Sequence, residues 1–291
     1  MNLPLRAAAA AAGALLLTAT LTACSTGPED SGASDAKADG PAVSHVHGLG
    51  IDPADDRLYV ATHHGVVSVA EDGTAKRVSE DEGDYMGFTV VKDKTFLGSG
   101  HPAPGTGEPA NRGLIRSEDS GKTWKTLSLG GDVDFHSLKY AHGSVYGYDN
   151  TNGMLRVSEN GTDWDDRARL AALDIAVHPE DPDTVLATTE AGVAKSTDGG
   201  EKFGTGAKPV LAFLSWPEPK ALFGISPEGE LRRSSDSGES WKTVGTPPGG
   251  APQALTALDS RHLLVATGDG VYESRDGGES FDKRLAVTGE Q

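Results

Sequence analysis

Two histidines stand one residue apart in "SHVHGLGI" (Ser44 to Ile51), and a second pair, His63 and His64, follows 16 residues later. His101 and His136 come next, and His142, His178 and His262 are scattered after them. Imidazoles that converge with a carboxylate or a thioether suit zinc or copper, and Met86, in "GDYMGF", would favour copper. The same residues could instead satisfy buried backbone groups or line a sugar or peptide groove. Carboxylates offer a second chemistry. Two of them at roughly 5–10 Å could work as the acid and base, or acid and nucleophile, of a glycoside hydrolase, with Asp84, Asp134 and Asp149 as candidates. Tyr85 and Tyr148 would add stacking surface for a sugar. Which of these chemistries is available depends on the elements that carry the residues.

Self-similarity along the chain supplies those elements. "SEDSGKTW" (117–124), "STDGGEKF" (196–203), "SSDSGESW" (234–241) and "SRDGGESF" (274–281) share the form Ser-x-Asp-x-Gly-x-x-aromatic. "SENGTDW" (158–164) is one residue shorter and has Asn160 in the place of the acid. A sixth copy, within "HGVVSVAEDGTAKRV", keeps the glycine and the apolar pair but neither the serine nor the aromatic. Counting its start at Val69, the copies begin at 69, 117, 158, 196, 234 and 274. Each is preceded by two apolar runs of strand length, such as "HVHGLGID" and "RLYVAT", and followed by a short polar run such as "WKTLSL". The second period is lengthened by "HPAPGTGEPANR" (101–112). Short runs bounded by turn residues, with almost no helical periodicity, predict an all-β protein.

The octets resemble the Asp-box, or BNR, repeat of sialidases, sortilin-type receptors and photosystem II assembly factors. The resemblance implies a six-bladed β-propeller of four-stranded blades over residues 43–288, one domain despite its length. It also implies that Asp119, Asn160, Asp198, Asp236 and Asp276 are structural, each accepting N–H bonds within the turn between the third and fourth strands of a blade. The glycine would take a conformation costly for other residues, and the aromatic would close over the blade core.

This architecture sorts the polar residues by face. The approach to a blade's first strand and its second turn open on the face opposite the Asp-boxes, around the mouth of the central channel, where propellers usually bind ligands. His45, His47, His63, His64, His101 and His136 all fall there, in the first three blades. His142, His178 and His262 fall on the Asp-box face. Alternation along a strand puts His45 and His47 on one side, whereas the adjacent pair diverges, so at most one of that pair joins the cluster; His64 is taken as that member. The expected metal or ligand set is therefore His45, His47, His64, His101, His136 and Met86, with copper or zinc as the ion.

The sialidase likeness implies a second function and tests it. Those enzymes hold the substrate carboxylate with three arginines, but no first strand here contains one, and Arg112, Arg116, Arg156 and Arg232 form no convincing triad. Losing those bidentate bonds disfavours sialidase activity. Another glycosidase stays open through the eight carboxylates of the channel-mouth face. Nothing resembles a nucleophile elbow, a phosphate loop or a dinucleotide fingerprint.

The N-terminus carries an address. Arg6, an apolar run from Ala7 to Leu21 and "LTAC" make an export signal over residues 1–23, and Leu-Thr-Ala-Cys resembles a lipobox with Cys24 as the lipidated residue. Cys24 is the only cysteine, so the expected mature chain has no disulfide. Residues 24–42, the lipidated cysteine and then "STGPEDSGASDAKADGPA", contain no large apolar side chain and read as a tether. The chain is thus expected to be exported and held to the outer face of the cell membrane by lipid alone. Without Arg6, 25 of the 26 basic residues face 43 acidic ones, a surface that repels nucleic acid and anionic lipid. A monomer is expected, meeting a small ligand, a glycan or a protein partner.

Overall fold

The computed structural model describes residue 41 and residues 43–288; Cys24, the leader and most of the tether lie outside the described residues. Six antiparallel sheets, each of consecutive strands, form a six-bladed β-propeller. No described residue is helical. The innermost strands are Val46–Asp52, Asp84–Lys92, Phe135–Ala141, Ile175–Val177, Phe213–Glu218 and Pro252–Ala257. Five blades have four strands. In the fourth, the outermost strand is reduced to a bridge between Val193 and Ala207, with N–H···O bonds of 2.8 and 2.9 Å. The reason lies in "GTGAKP", where two glycines and a proline without an N–H weaken any longer ladder.

The core is divided among the seams. Six buried clusters each join two neighbouring blades, as where Tyr59 and Ala61 of blade one meet Phe88, Phe96 and Ile115 of blade two. The aromatic of each octet packs into the seam with the preceding blade: Trp124, Trp164, Phe203, Trp241 and Phe281 each join such a cluster. It therefore closes the space between blades, not the middle of one blade as the sequence suggested. Blade one has no such aromatic. At its seam with blade six, Val43 and Val287 are buried instead, and Thr288 N–H donates to Val43 O at 2.7 Å, which ties the two ends of the ring.

The octet turns share one hydrogen-bond pattern. In the second blade, Ser117 Oγ donates to Asp119 Oδ1 at 2.8 Å, and the Lys122 and Thr123 N–H groups donate to that same oxygen. Gly121 N–H donates to Ser117 Oγ at 2.9 Å, with Gly121 at φ +80°. The pattern recurs at Asp198, Asp236 and Asp276, and Asn160 Oδ1 receives Thr162 and Asp163 N–H in the shorter copy. These bonds hold the carboxylates charged: those from Ser240 lower Asp236 to about 2.

Glycines let the inner strands approach closely around the channel. A Cβ on Gly48 would stand 2.7 Å from Phe88 Cβ, and one on Gly87 would stand 2.4 Å from Phe135 O. Both positions adjoin the histidine-bearing stretches of their blades, so the side chains there are carried by strands in near backbone contact.

Candidate metal centre

At the channel mouth, His45 precedes the first strand of blade one and His47 is its second residue, so both side chains leave the same side of the chain. Opposite them, the second turn of that blade is fixed by Thr62, whose Oγ1 donates to Gly65 O at 2.8 Å and accepts His64 N–H at 3.0 Å. This turn directs His63 inward. The ring centroids of His45, His47 and His63 lie 4.7, 5.0 and 4.6 Å apart, and one nitrogen from each falls within 4.8 Å of the others. Donors about 2 Å from a shared ion lie at most about 4 Å apart, so the three rings need close only slightly to share one.

His64 is not part of this group. Its side chain is exposed, with its ring edge-on to His63 at 6.5 Å. The two neighbours do diverge, but the member that joins is His63, because the hydroxyl-bonded turn sets which of them points back over the strand.

A second group adjoins the trio. Asp84, the first residue of the inner strand of blade two, has its Oδ1 3.4 Å from His47 Nε2. Across the same blade it pairs with His101 in backbone register. Asp134, entering blade three, is buried; its Oδ2 lies 2.6 Å from His136 Nε2 and 3.5 Å from His101 Nε2. His101 is held at its other nitrogen, Nδ1, 2.9 Å from Ala110 O. Met86 is half-buried on the strand of Asp84, two residues further along. Below the mouth, His47 and His136 also line a narrow channel cavity of about 50 Å³ with Ser137, Lys139, Asp174 and Thr256.

Burial dominates the electrostatics. The His47 side chain is only 10% exposed, and this burial, with His45, His63, His136 and His101 nearby, lowers its pKa to about 3. It is therefore unprotonated at neutral pH, the form that ligates metal. Burial likewise pushes the Asp84 carboxyl up; His63, His101 and His136 oppose the shift and Asp134 adds to it. His47 Nε2, Asp84 Oδ1 and Asp134 Oδ1 are buried without a hydrogen-bond partner.

A pH dependence follows. In the metal-free protein, folded His47 binds no proton until about pH 3, whereas the unfolded chain takes one up near 6.5. Across that window the unfolded state holds more protons, so stability falls as pH is lowered from about 6.5 toward 3. Urea unfolding at pH 7 and pH 4.5 should show the loss, and His47→Gln should reduce it.

Several expected site residues serve the fold. Tyr85 is fully buried between Trp124 and the Arg112 guanidinium and donates to Asp81 Oδ1 at 2.8 Å. Tyr148 is 3% exposed and donates to Leu170 O at 2.9 Å. Neither has a face left for a sugar. Asp149 is fully buried and accepts from Arg156 Nε at 3.0 Å and Asn152 Nδ2 at 2.8 Å, so it is a strand-end anchor and not an acid–base group. The arginines are equally committed: Arg112 to Asp81, Arg116 to Glu118, Arg156 to Asp149 and Asp166, and Arg232 to Glu230. Asp174, at the entry to the fourth blade, is also a structural anchor. It accepts Ser137 Oγ at 2.6 Å and Leu214 N–H at 2.8 Å, with Lys139 Nζ 3.1 Å away.

The opposite mouth differs in character. It widens into a funnel of about 510 Å³ that includes Ile51, Pro53, Tyr140, Trp216 and Leu258. His142 sits on its rim, with Nε2 2.8 Å from His178 O, and His178 packs edge-on to Trp216. His262 pairs with buried Glu273 at 2.6 Å. None of the three joins the cluster.

No protein-family model and no curated protein matches the chain. Its fold is similar to those of solved structures at low identity. YCF48 from Cyanidioschyzon merolae is 15% identical, with a TM-score of 0.51 over 84% of this chain and 85% of that one. A putative gluconolactonase is 12% identical, with a TM-score of 0.61 over 84% and 91%. An ancestral GH74 enzyme is 15% identical, with a TM-score of 0.55 over 81% of this chain, which spans 37% of that enzyme. At these identities the likeness is one of fold, and the chain is a six-bladed β-propeller.

Proposed function

We propose that this protein is an exported, lipid-anchored propeller that binds a transition-metal ion, copper or zinc, at the channel mouth of blades one to three. One observation carries the reading: three imidazoles from two segments of one blade, with donor nitrogens within 4.8 Å of one another. Three nitrogen donors of this kind suit Zn(II) and Cu(II), and among divalent ions Cu(II) binds such a set most tightly. The half-buried thioether of Met86 on the adjoining strand supports copper. The lipobox-like Leu-Thr-Ala-Cys and the export-type leader support anchoring through Cys24, and the acidic balance of the chain suits a cationic ligand. The shared octet turns, each built on a carboxylate or amide oxygen, support kinship with Asp-box propellers. The glycosidase alternative is weaker, since Asp149 is locked by Arg156 and the nearest groups to Asp84 and Asp134 are imidazoles.

Calorimetric titration of the purified, chelator-treated protein with Cu(II) and with Zn(II) tests the proposal. Binding tighter than about 1 µM is expected for at least one ion, corresponding to about −8 kcal/mol. Binding no tighter than about 1 mM would overturn it.

A further inference from the structure

The imidazole trio leaves two carboxylates beside it unexplained. Asp134 is 5% exposed and Asp84 half-buried, and the ion pairs described for both are with histidine alone. One oxygen of each, Oδ1, is buried with no hydrogen-bond partner. Buried carboxylates are ordinarily compensated by a fixed positive charge or by a metal. Of the other buried carboxylates, Asp149 has Arg156, Asp174 has Lys139 and Glu273 has Arg284, while Asp52 has both oxygens satisfied by hydrogen bonds from the Ala54 and Lys94 N–H groups and Ser120 Oγ. No lysine or arginine is paired with Asp84 or Asp134 among the described residues.

The imidazoles are divided between them. His45, His47 and His63 form one group, and His101 and His136 converge on Asp134 Oδ2 at 3.5 and 2.6 Å. Asp84 stands between the groups: its Oδ1 is 3.4 Å from His47 Nε2, and its backbone partner in the sheet is His101. We infer that the channel mouth holds two metal ions, the first on His45, His47 and His63, the second on His101, Asp134 and His136, whose donor atoms stand further apart than those of the trio and would draw together on the ion, with Asp84 shared between them. This rests on the reading of the trio as a metal site and adds a second site with its own ligands. Two divalent ions would give buried Asp134 and half-buried Asp84 the counter-charge they lack, and an ion on Asp134 would replace the hydrogen bond that now joins it to His136.

The test is stoichiometry with Cu(II) as the probe. The chelator-treated protein is loaded, desalted and analysed for copper per chain, and its electron paramagnetic resonance spectrum is recorded. Two copper ions per chain are expected in the wild type, with a spin-coupled signal weaker than that of two isolated ions. His101→Ala, at a partly exposed side chain where folding is least at risk, and Asp134→Asn should each bind one ion and restore an uncoupled signal. His63→Ala should also retain one, at the second site. Saturation of the wild type at one ion, with His101→Ala and Asp134→Asn unchanged, would overturn the two-ion centre and leave the trio standing. Two ions that persist unchanged in His101→Ala and Asp134→Asn would overturn it as well. No bound copper at all would overturn both readings.

Discussion

His63→Ala lowers the affinity of the first site for Cu(II) by at least about 100-fold, while His64→Ala leaves it within about twofold. Outer-shell partners of a metal site are already worth roughly 10–100-fold, so loss of one of three imidazole donors exceeds that range. The two substitutions remove the same chemical group from adjacent positions of one turn. They differ in direction alone, since His63 lies 4.6 Å from His47 centroid to centroid and His64 is turned to solvent. Competition titration against a chelator of known affinity, with the circular dichroism spectrum as a check on folding, measures both. Equal effects of the two substitutions would mean that the trio is not the site.

The largest stability effect is expected at Asp174. This buried carboxylate leads into the fourth blade, yet its oxygens accept from Ser137 in blade three and from the Leu214 N–H in blade five, with Lys139 alongside. Asp174→Ala removes the acceptor for all three and leaves an ammonium without its partner, at a cost of about 3–5 kcal/mol. For a domain of this size that corresponds to roughly 6–20 °C in Tm. Asp174→Asn, which keeps an acceptor oxygen but not the charge, should lose less. Thermal unfolding of the two variants checks the order, and a loss below about 1 kcal/mol in Asp174→Ala would show that the blades do not depend on this contact.

The fold was legible because its signal is repeated. Four spaced octets, a shorter fifth copy and a degenerate sixth, with two apolar runs before each and turn residues between them, are enough to mark six antiparallel blades, and the strands confirm that order. The histidine face was legible too, since a residue's place before the first strand or in the second turn decides which mouth it reaches. What could not be read was direction within a turn. Adjacent residues diverge, but the choice between His63 and His64 depends on the Thr62 hydroxyl, which bonds both sides of the turn. Tyr85 was misplaced for a reason that strand alternation contains: with Asp84 and Met86 on one side, Tyr85 must lie on the other, inside the seam with Trp124. Asp149 and Asp174 carry no such signal. Their burial is set by partners at a distance in sequence, seven residues away for Arg156 and 40 for Leu214.

If imidazole nitrogens of blade one hold a metal ion, X-ray absorption of the protein loaded with one equivalent of Cu(II) or Zn(II) reads those ligands directly. In His101→Ala, which lacks the second site, a nitrogen shell at about 2.0–2.1 Å with the multiple-scattering pattern of three imidazoles, reduced to two when His63→Ala is added, is the expected result. A shell made only of oxygen, or an imidazole count that does not change when His63→Ala is added, would contradict a metal site on these imidazoles.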